Sequence, residues 1–387
     1  MGQAVAQALG VLNAGSTVAP AKARRFYQPE LDGLRFYAFL GVFVCHTLPF
    51  DGALYSRFHL PLPGLWGAVA KSGASGVDLF FALSAFLITS LLLREREETG
   101  EISLRRFYLR RVLRIWPLYF LVIAVGVVLA HTVAGQSLPW YYIAAYLLFA
   151  GNWMHAVFGR PLSVCSPLWT VSIEEQFYLI WPLLMQSLRR RGMIVAAVVT
   201  VLVASASRIG FLLAGWGGGF LYYGSISRCD SLALGMLLAL FADRLPWLNR
   251  RTRWLLLAAG LTGWVVSAAW LNEQPGPADM RMVFGRLLVS LSAGAILYSC
   301  LDSRSKWLRG SWVVELGKIS YGLYVWHLTA ILIVTRLFRP AWGWQLLAVK
   351  ALGFVATVII ARASYRWIES PFLRLKDKFA TVLSRPV

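Results

Sequence analysis

Several ionisable side chains lie in apolar stretches of this 387-residue chain that are long enough to cross a bilayer. In one stretch His46 follows Arg35 by eleven positions, and eleven helical steps of about 100° return to within about 20° of the starting face. An ionisable side chain inside a membrane span costs about 2.5–3.5 kcal/mol on insertion scales, so it indicates a functional site. Further ionisable residues in or beside such stretches are Asp78, Glu174, Glu175, Arg228, Asp230 and His327.

A histidine beside carboxylates is typical of general base catalysis, because the carboxylate stabilises the imidazolium that forms when a hydroxyl is deprotonated. We therefore take His46, Glu174, Glu175 and Asp78 as candidate catalytic residues. The two glutamates point about 100° apart on a helix, so at most one faces His46. We favour Glu174, with Glu175 as the partner of an arginine. Asp78 could instead cap a helix.

Four arginines form a second candidate site at the opposite ends of the predicted spans. Arg35 begins one span, while Arg110, Arg111 and Arg114 begin another. Arg114 follows Arg110 by four residues and Arg111 by three, which places it beside both on a helix. Guanidinium groups bind phosphate bidentately, so this cluster suits the nucleotide of an acyl-CoA, whose arm would carry the thioester towards His46. The alternative is that these arginines only anchor the spans on the cytoplasmic side.

Composition indicates a polytopic membrane protein. The chain is 58% hydrophobic and 14% charged, whereas a soluble domain has about 25% charged residues. The net charge of +20 could suggest nucleic acid binding, but the cations form short clusters between apolar stretches, which is the positive-inside pattern. We expect no nucleic acid partner. The cysteines lack metal-ligand spacing, so we expect no metal.

The predicted fold is an all-α bundle of about ten membrane helices. They fall near residues 34–50, 75–93, 114–131, 168–188, 193–214, 227–243, 254–271, 282–301, 313–335 and 345–366. All basic clusters fall in the cytoplasm only if the aromatic segment 138–158 enters the membrane and returns, so we predict a re-entrant or interfacial segment there. The predicted organisation is a cytoplasmic tail over 1–27, a membrane domain over 28–375 and a cytoplasmic tail over 376–387.

Seven motifs in this order resemble the acyltransferase-3 family of bacterial integral-membrane O-acyltransferases. They are LDGLR with the histidine eleven residues after its arginine (31–46), GVDLFF (76–81), FYLRR (107–111), PLWTVSIEEQFY (167–178), RCDSLALG (228–235), SYGLYVWH (320–327) and YRWIESPF (365–372). Each motif is weak alone, but seven in family order are specific. Two departures from the family pattern are Ala85 in place of glycine and Cys45 in place of an aromatic residue.

The resemblance implies a plasma membrane enzyme that transfers an acyl group, usually acetyl, from cytoplasmic acyl-CoA to a hydroxyl. Family acceptors include cell-surface glycans, lipids and macrolides. It implies that His46 is the base, that Glu174 or Glu175 orients or assists it, and that Arg35, Arg110, Arg111 and Arg114 assist the donor. We expect the remaining polar residues to serve the acceptor or the architecture; they are Arg228, Asp230, His327 and Tyr324. Some members carry a C-terminal esterase-like domain that this sequence does not match. We therefore expect any acyl relay to use this domain alone or a separate protein.

Two other functions remain open at this stage. A proton-coupled transporter could use His46, Glu174 and His327 as a relay, although the inverted repeat of many transporters is not evident. A glycan-binding or sensory protein would not need a deep histidine–carboxylate centre. For the enzyme, direct attack on the acyl-CoA is preferred over an acyl-protein intermediate, because the sequence shows neither a Gly-x-Ser-x-Gly motif nor a Cys/His pairing.

Overall fold

The computed structural model describes residues 27–50, 52–133, 138–271, 278–339 and 344–380, and these residues contain helices but no strand. The predicted N-terminal tail, apart from Tyr27, and the end of the predicted C-terminal tail lie outside the described residues. The helices are α1 Pro29–Thr47, α2 Ala53–Arg57, α3 Pro63–Ser72, α4 Gly76–Thr99, α5 Leu104–Thr132, α6 Trp140–Leu147, α7 Gly151–Phe158, α8 Leu168–Ser187, α9 Arg190–Leu213, α10 Gly218–Tyr223, α11 Ser225–Leu240, α12 Arg250–Trp270, α13 Met280–Cys300, α14 Lys306–Arg309, α15 Ser311–Lys318, α16 Ser320–Phe338, α17 Trp344–Ser364 and α18 Ser370–Asp377. The predicted all-α class is therefore confirmed for this part of the chain.

Six helical segments of the described chain are long and apolar enough to cross a membrane. They are Pro63–Thr99, Leu104–Thr132, Arg190–Leu213, Met280–Cys300, Ser320–Phe338 and Trp344–Asp377. The predicted count of about ten is not confirmed. The other four predicted spans correspond to α1, α8, α11 and α12, which are 16 to 21 residues long and include charged residues. Helix α11, at 16 residues, is short for a membrane span, and charged residues lower the hydropathy of the other three helices. Several of the charged residues of these four helices belong to the site described below.

The segment predicted to enter the membrane and return forms two short helices. Helices α6 and α7 have eight residues each and are joined through Phe149, whose φ is 53°. Eight residues span about 12 Å, less than half of the apolar thickness of a bilayer. Neither helix alone could therefore cross.

Helix α4 packs against α1 and α11 at positions where small residues allow close contact. A Cβ on Gly76 would clash with the backbone oxygen of Ala38, and one on Gly235 would clash with that of Ala82. Small residues at helix crossings are common in membrane proteins, because packing of backbones replaces the hydrophobic driving force. This close packing fixes the position of α1, which carries Arg35 and His46.

The C-terminal end of the described chain folds back against α5. After α17 the chain passes through a π-helical turn, Tyr365–Glu369, and continues as α18, which packs against α5. The Nη1 atom of Arg110 donates to the backbone oxygen of Phe379 at 2.9 Å. Helix α18 therefore forms a wall beside the arginines of α5.

Candidate functional site

His46 and His327 form a hydrogen-bonded pair between α1 and α16. Nδ1 of His46 lies 3.0 Å from Nε2 of His327, and the two rings stack with their centroids 5.0 Å apart. His327 is fully buried, whereas His46 is partly exposed. His46 is thus the member of the pair that a substrate can reach.

The backbone determines which ring nitrogens of this pair carry protons. Nδ1 of His327 lies 2.5 Å from the backbone oxygen of Tyr324, and because that oxygen can only accept, Nδ1 must donate. In a neutral ring Nε2 of His327 is then an acceptor, so Nδ1 of His46 must donate to it. This assignment leaves Nε2 of His46 with a free lone pair, as a general base requires.

The partner of His46 differs from the sequence-based expectation. The prediction placed Glu174 beside His46, but the structure places His327 there. Glu174 is instead linked by a side-chain hydrogen bond to Ser84, whose hydroxyl lies 2.5 Å from that of Tyr178. The orientation of α8 explains the difference, because it turns Glu174 towards the arginines of α1 and α5.

Glu175 and Asp78 also lie apart from the histidine pair. Glu175 accepts a hydrogen bond of 3.1 Å from the indole of Trp116 and lies within electrostatic range of Arg111. Asp78 is buried and forms ion pairs with Arg228 at 3.1 Å and with Arg286 at 3.8 Å. Neither carboxylate is therefore positioned by the structure to orient His46.

The four predicted donor-binding arginines line one cavity of about 90 Å³, here called the arginine cavity; they are Arg35, Arg110, Arg111 and Arg114. Arg110 pairs with Glu95 at 2.8 Å, and Arg35 lies 3.4 Å from Asp32. Arg111 is held differently, over the rings of Phe107 and Tyr178 at 5.4 and 5.7 Å. Its buried Nε has no hydrogen-bond partner among the described residues. Arg111 therefore retains donor capacity for a ligand.

Lys376 of α18 is a fifth cation of the arginine cavity, and the sequence analysis did not identify it. It lines the same cavity, is 8% exposed and lies 3.2 Å from Asp377. Its position depends on the return of the chain to α5, which no local pattern in the sequence indicates. A cluster of five cations is a suitable receptor for phosphate groups.

Three cavities lie next to one another between the arginines and the histidine pair, and neighbouring cavities share lining residues. A middle cavity of about 90 Å³ shares Arg35, Ser84, Arg111 and Arg114 with the arginine cavity and is also lined by Glu174. It shares Val77 and Tyr324 with a third cavity, the histidine cavity, which His46 lines.

Tyr324 lies at the junction of the middle and histidine cavities. Its hydroxyl accepts a hydrogen bond of 2.9 Å from Thr170 and donates one of 3.2 Å to the backbone oxygen of Pro167. The backbone oxygen of the same residue holds His327. Tyr324 therefore separates the two cavities and fixes the histidine pair at the point where they meet.

The histidine cavity is large, at about 1580 Å³, and its wall includes the aromatic residues Trp169, Tyr222, Tyr223 and Trp270. The segment that contains α7 contributes His155, whose Nε2 lies 2.7 Å from the hydroxyl of Tyr146. Small-molecule sites usually measure about 300–1,000 Å³, so this cavity can hold a ligand with several rings.

Arg228 and Asp230 belong to a buried charge network behind this wall. Arg228 pairs with Asp78, and Asp230 pairs with Arg208 at 2.7 Å. The guanidinium of Arg228 lies 5.4 Å from the ring of Trp169. Arg208 was missed in the sequence analysis, although an arginine in an apolar span is the same signal that singled out Arg228. The network connects α4, α9, α11 and α13.

Comparisons with known proteins show the family of this chain. The sequence profile described as an acyltransferase domain matches residues 28–366. The peptidoglycan O-acetyltransferase OatA of Listeria monocytogenes is 30% identical over 376 residues, which cover 90% of this chain and 56% of OatA. YrhL of Bacillus subtilis, provisionally named a peptidoglycan O-acetyltransferase, is 32% identical over 382 residues, covering 89% of this chain and 55% of YrhL.

The chain spans a little more than half the length of these curated relatives. No solved structure matches it significantly. The profile match covers most of the chain, and the motifs that carry His46, Arg111, Glu174 and His327 all lie within it. The chain is therefore an integral membrane protein that belongs to the acyltransferase-3 family.

Proposed function

We propose that the protein is a membrane O-acetyltransferase that moves an acetyl group from cytoplasmic acetyl-CoA to a hydroxyl of a glycan. One observation carries this proposal: three cavities that share lining residues lie one after another between a cluster of cations and a histidine whose Nε2 can accept a proton. The names of OatA and YrhL indicate peptidoglycan as the source of the acceptor.

In this proposal the arginine cavity binds the phosphates of acetyl-CoA. Arg111 contributes most, because its Nε has no other hydrogen-bond partner among the described residues, whereas Arg110 is partly neutralised by Glu95. Arg35, Arg114 and Lys376 complete the cationic wall. The pantetheine arm then extends through the middle cavity, which would carry the thioester to the junction at Tyr324.

The chemical step is a direct transfer. The acceptor hydroxyl loses its proton to Nε2 of His46 as its oxygen attacks the thioester carbon. The carbon–sulfur bond breaks, and the proton passes from His46 to the departing thiolate, so that CoA leaves as the thiol. His327 accepts from Nδ1 of His46 throughout and thus stabilises the imidazolium by a charge-assisted hydrogen bond.

The carboxylates act as positioning residues in this proposal. Glu174 lies within electrostatic range of Arg35 and Arg111 and would hold both guanidinium groups at the entrance to the middle cavity. Asp78 would hold Arg228 behind the acceptor wall. Glu175 would keep Trp116 and the base of the arginine cavity in place.

The proposed topology has ten spans with both termini in the cytoplasm of a bacterial inner membrane. It places the arginine cavity on the cytoplasmic side, where acyl-CoA is found, and the histidine cavity near the outer face. The short helices α6 and α7 would then lie at the outer face without crossing, which keeps every basic cluster inside.

The test is to measure binding and slow hydrolysis of acetyl-CoA by the purified protein in lipid nanodiscs. We expect saturable binding and release of free CoA, and competition by CoA itself. If acetyl-CoA does not bind, the proposal fails, and proton flux in proteoliposomes would then test the transporter alternative.

A further inference from the structure

The histidine cavity has an unbalanced charge. Its described wall includes two cationic side chains, Lys71 and Arg160, and no aspartate or glutamate. Lys71 uses one N–H on the backbone oxygen of Ala268 at 3.0 Å, which leaves two N–H groups for a ligand. Arg160 is exposed and lies within electrostatic range of both His46 and His155. Among the described residues, the charged side chains that line this cavity are therefore all cationic.

The buried network behind the wall adds to this field. Arg228 and Arg286 both form ion pairs with the carboxylate of Asp78, while Arg208 pairs with Asp230. Arg228 is 1% exposed, and its Nε and Nη1 have no hydrogen-bond partner among the described residues. Its charge is screened weakly, because it is excluded from water.

Two aromatic residues join this network to the cavity. The guanidinium of Arg228 lies 5.3 Å from the ring of Tyr222, and that of Arg286 lies 4.9 Å from the same ring. Tyr222 and Trp169, which also contacts Arg228, both line the histidine cavity. The cavity thus combines aromatic faces, which can stack on sugar rings, with cations in its wall and behind it.

Resting on the proposed function, we infer that the acceptor is an anionic glycan. It carries a carboxylate or phosphate that Arg160 and Lys71 bind while the reacting hydroxyl lies at His46. A neutral glycan would leave these cations without a counter-charge, whereas an anionic one forms charge-assisted hydrogen bonds with them. The size of the cavity also favours an oligosaccharide over a single sugar.

The experiment compares two probes with the same sugar backbone, trigalacturonate and its methyl ester, in which the carboxylate charges are removed by esterification. Their binding to the protein in nanodiscs of zwitterionic lipid is measured by saturation-transfer NMR. We expect the anionic probe to bind at least about tenfold more tightly, which corresponds to one charged contact of about 1.4 kcal/mol. We expect this preference to weaken at high ionic strength.

Substitutions of the cationic wall residues test whether the preference for the anionic probe arises in the histidine cavity. Arg160→Gln and Lys71→Gln should each reduce it, and Arg160→Lys should retain most of it, while Arg57→Gln, an exposed arginine outside this wall, should have no effect. Equal binding of the two probes, binding of neither, or a preference that survives the double variant would overturn the inference. Acetyl-CoA hydrolysis by the unchanged protein is measured in the same sample. If hydrolysis is present, only the inference fails, and if it is absent, the proposed function fails too.

Discussion

At the scale of single residues, a chain of hydrogen bonds prepares His46 as a base. It runs from the backbone oxygen of Tyr324 through His327 to Nδ1 of His46. A second imidazole takes the place that a carboxylate usually occupies in such arrangements. The imidazole has no net charge when neutral, so its burial costs less than that of a carboxylate.

His327 is therefore a positioning residue for His46. Replacing His327 with Phe keeps a ring of similar size but removes the acceptor for Nδ1 of His46. We expect the turnover number for acetyl-CoA hydrolysis to fall about 100-fold, the lower end of the range for general base catalysis. The KM for acetyl-CoA should change less than about threefold, because the donor contacts are unaffected.

Two further variants separate positioning from structure at this site. His327→Gln restores an acceptor and should recover part of the turnover. Thr329→Val alters a buried residue on the same helix whose hydroxyl has no hydrogen-bond partner among the described residues, and it should leave turnover unchanged. A His327→Phe protein with full turnover would contradict the role.

At the scale of elements, α18 completes the arginine cavity. The return of the chain to α5 places Lys376 beside Arg110, Arg111 and Arg114, and the contact between Arg110 and the backbone of Phe379 secures this arrangement. The donor site is thus built from segments that are more than 260 residues apart in the chain.

Lys376→Gln removes one cation while keeping a side chain of similar length. We expect the KM for acetyl-CoA to rise about tenfold, because one charged hydrogen bond of about 1.4 kcal/mol is lost. Lys378→Gln is the matched control, since Lys378 is exposed and does not line the cavity, and its KM should not change. An equal rise in KM for the two variants would show that Lys376 contributes only to the general surface charge and does not bind the donor directly.

The crossing of α1 and α4 gives a prediction about stability. Gly76→Ala would place a methyl group against the backbone oxygen of Ala38 and should lower the stability of the helix packing by about 1–3 kcal/mol, the usual cost of overpacking. Gly64→Ala is the control, because nothing lies within 4 Å of its Cβ. Thermal unfolding in detergent measures both, and an equal melting temperature for the two variants would contradict the close contact.

The sequence predicted those parts of the site that depend on residue type. Charged residues in apolar stretches are visible in any sequence, which is why His46, Arg111, Glu174 and Arg228 were found. Their partners depend on the rotation of helices and on contacts between distant segments. His46 and His327 are 281 residues apart, and neither the pairing nor the direction of Glu174 follows from local periodicity.

At the scale of the whole molecule, the positions of the helices were predicted from the sequence more accurately than the number of membrane spans. Four of the ten predicted spans, α1, α8, α11 and α12, are not among the six apolar enough to be identified as membrane helices by length and composition. The first three carry the residues Arg35, Glu174 and Arg228, which line the cavities or pair behind them. In α1 and α8 the residues that form the site thus make the helix less apolar, whereas α11 is also short, at 16 residues.

Labelling from one side of the membrane tests the proposed topology. Arg57→Cys and Arg105→Cys place single exposed thiols on segments predicted to be outside and inside, respectively. In intact cells a membrane-impermeant maleimide should label Arg57→Cys, and it should label Arg105→Cys only after lysis. The unchanged protein is the control and measures the background labelling, because Cys45, Cys165 and Cys300 are buried and Cys229 is half-buried. Labelling of both variants in intact cells would contradict an odd number of crossings between them.

The most direct test of the account compares the unchanged protein with His46→Ala for acetyl-CoA binding and turnover in the same nanodisc preparation. We predict that both proteins bind acetyl-CoA with similar affinity, because the arginine cavity does not include His46. Hydrolysis should fall by about 10²–10⁴-fold in the variant, the contribution of a general base. Full hydrolysis by His46→Ala would show that His46 is not the base.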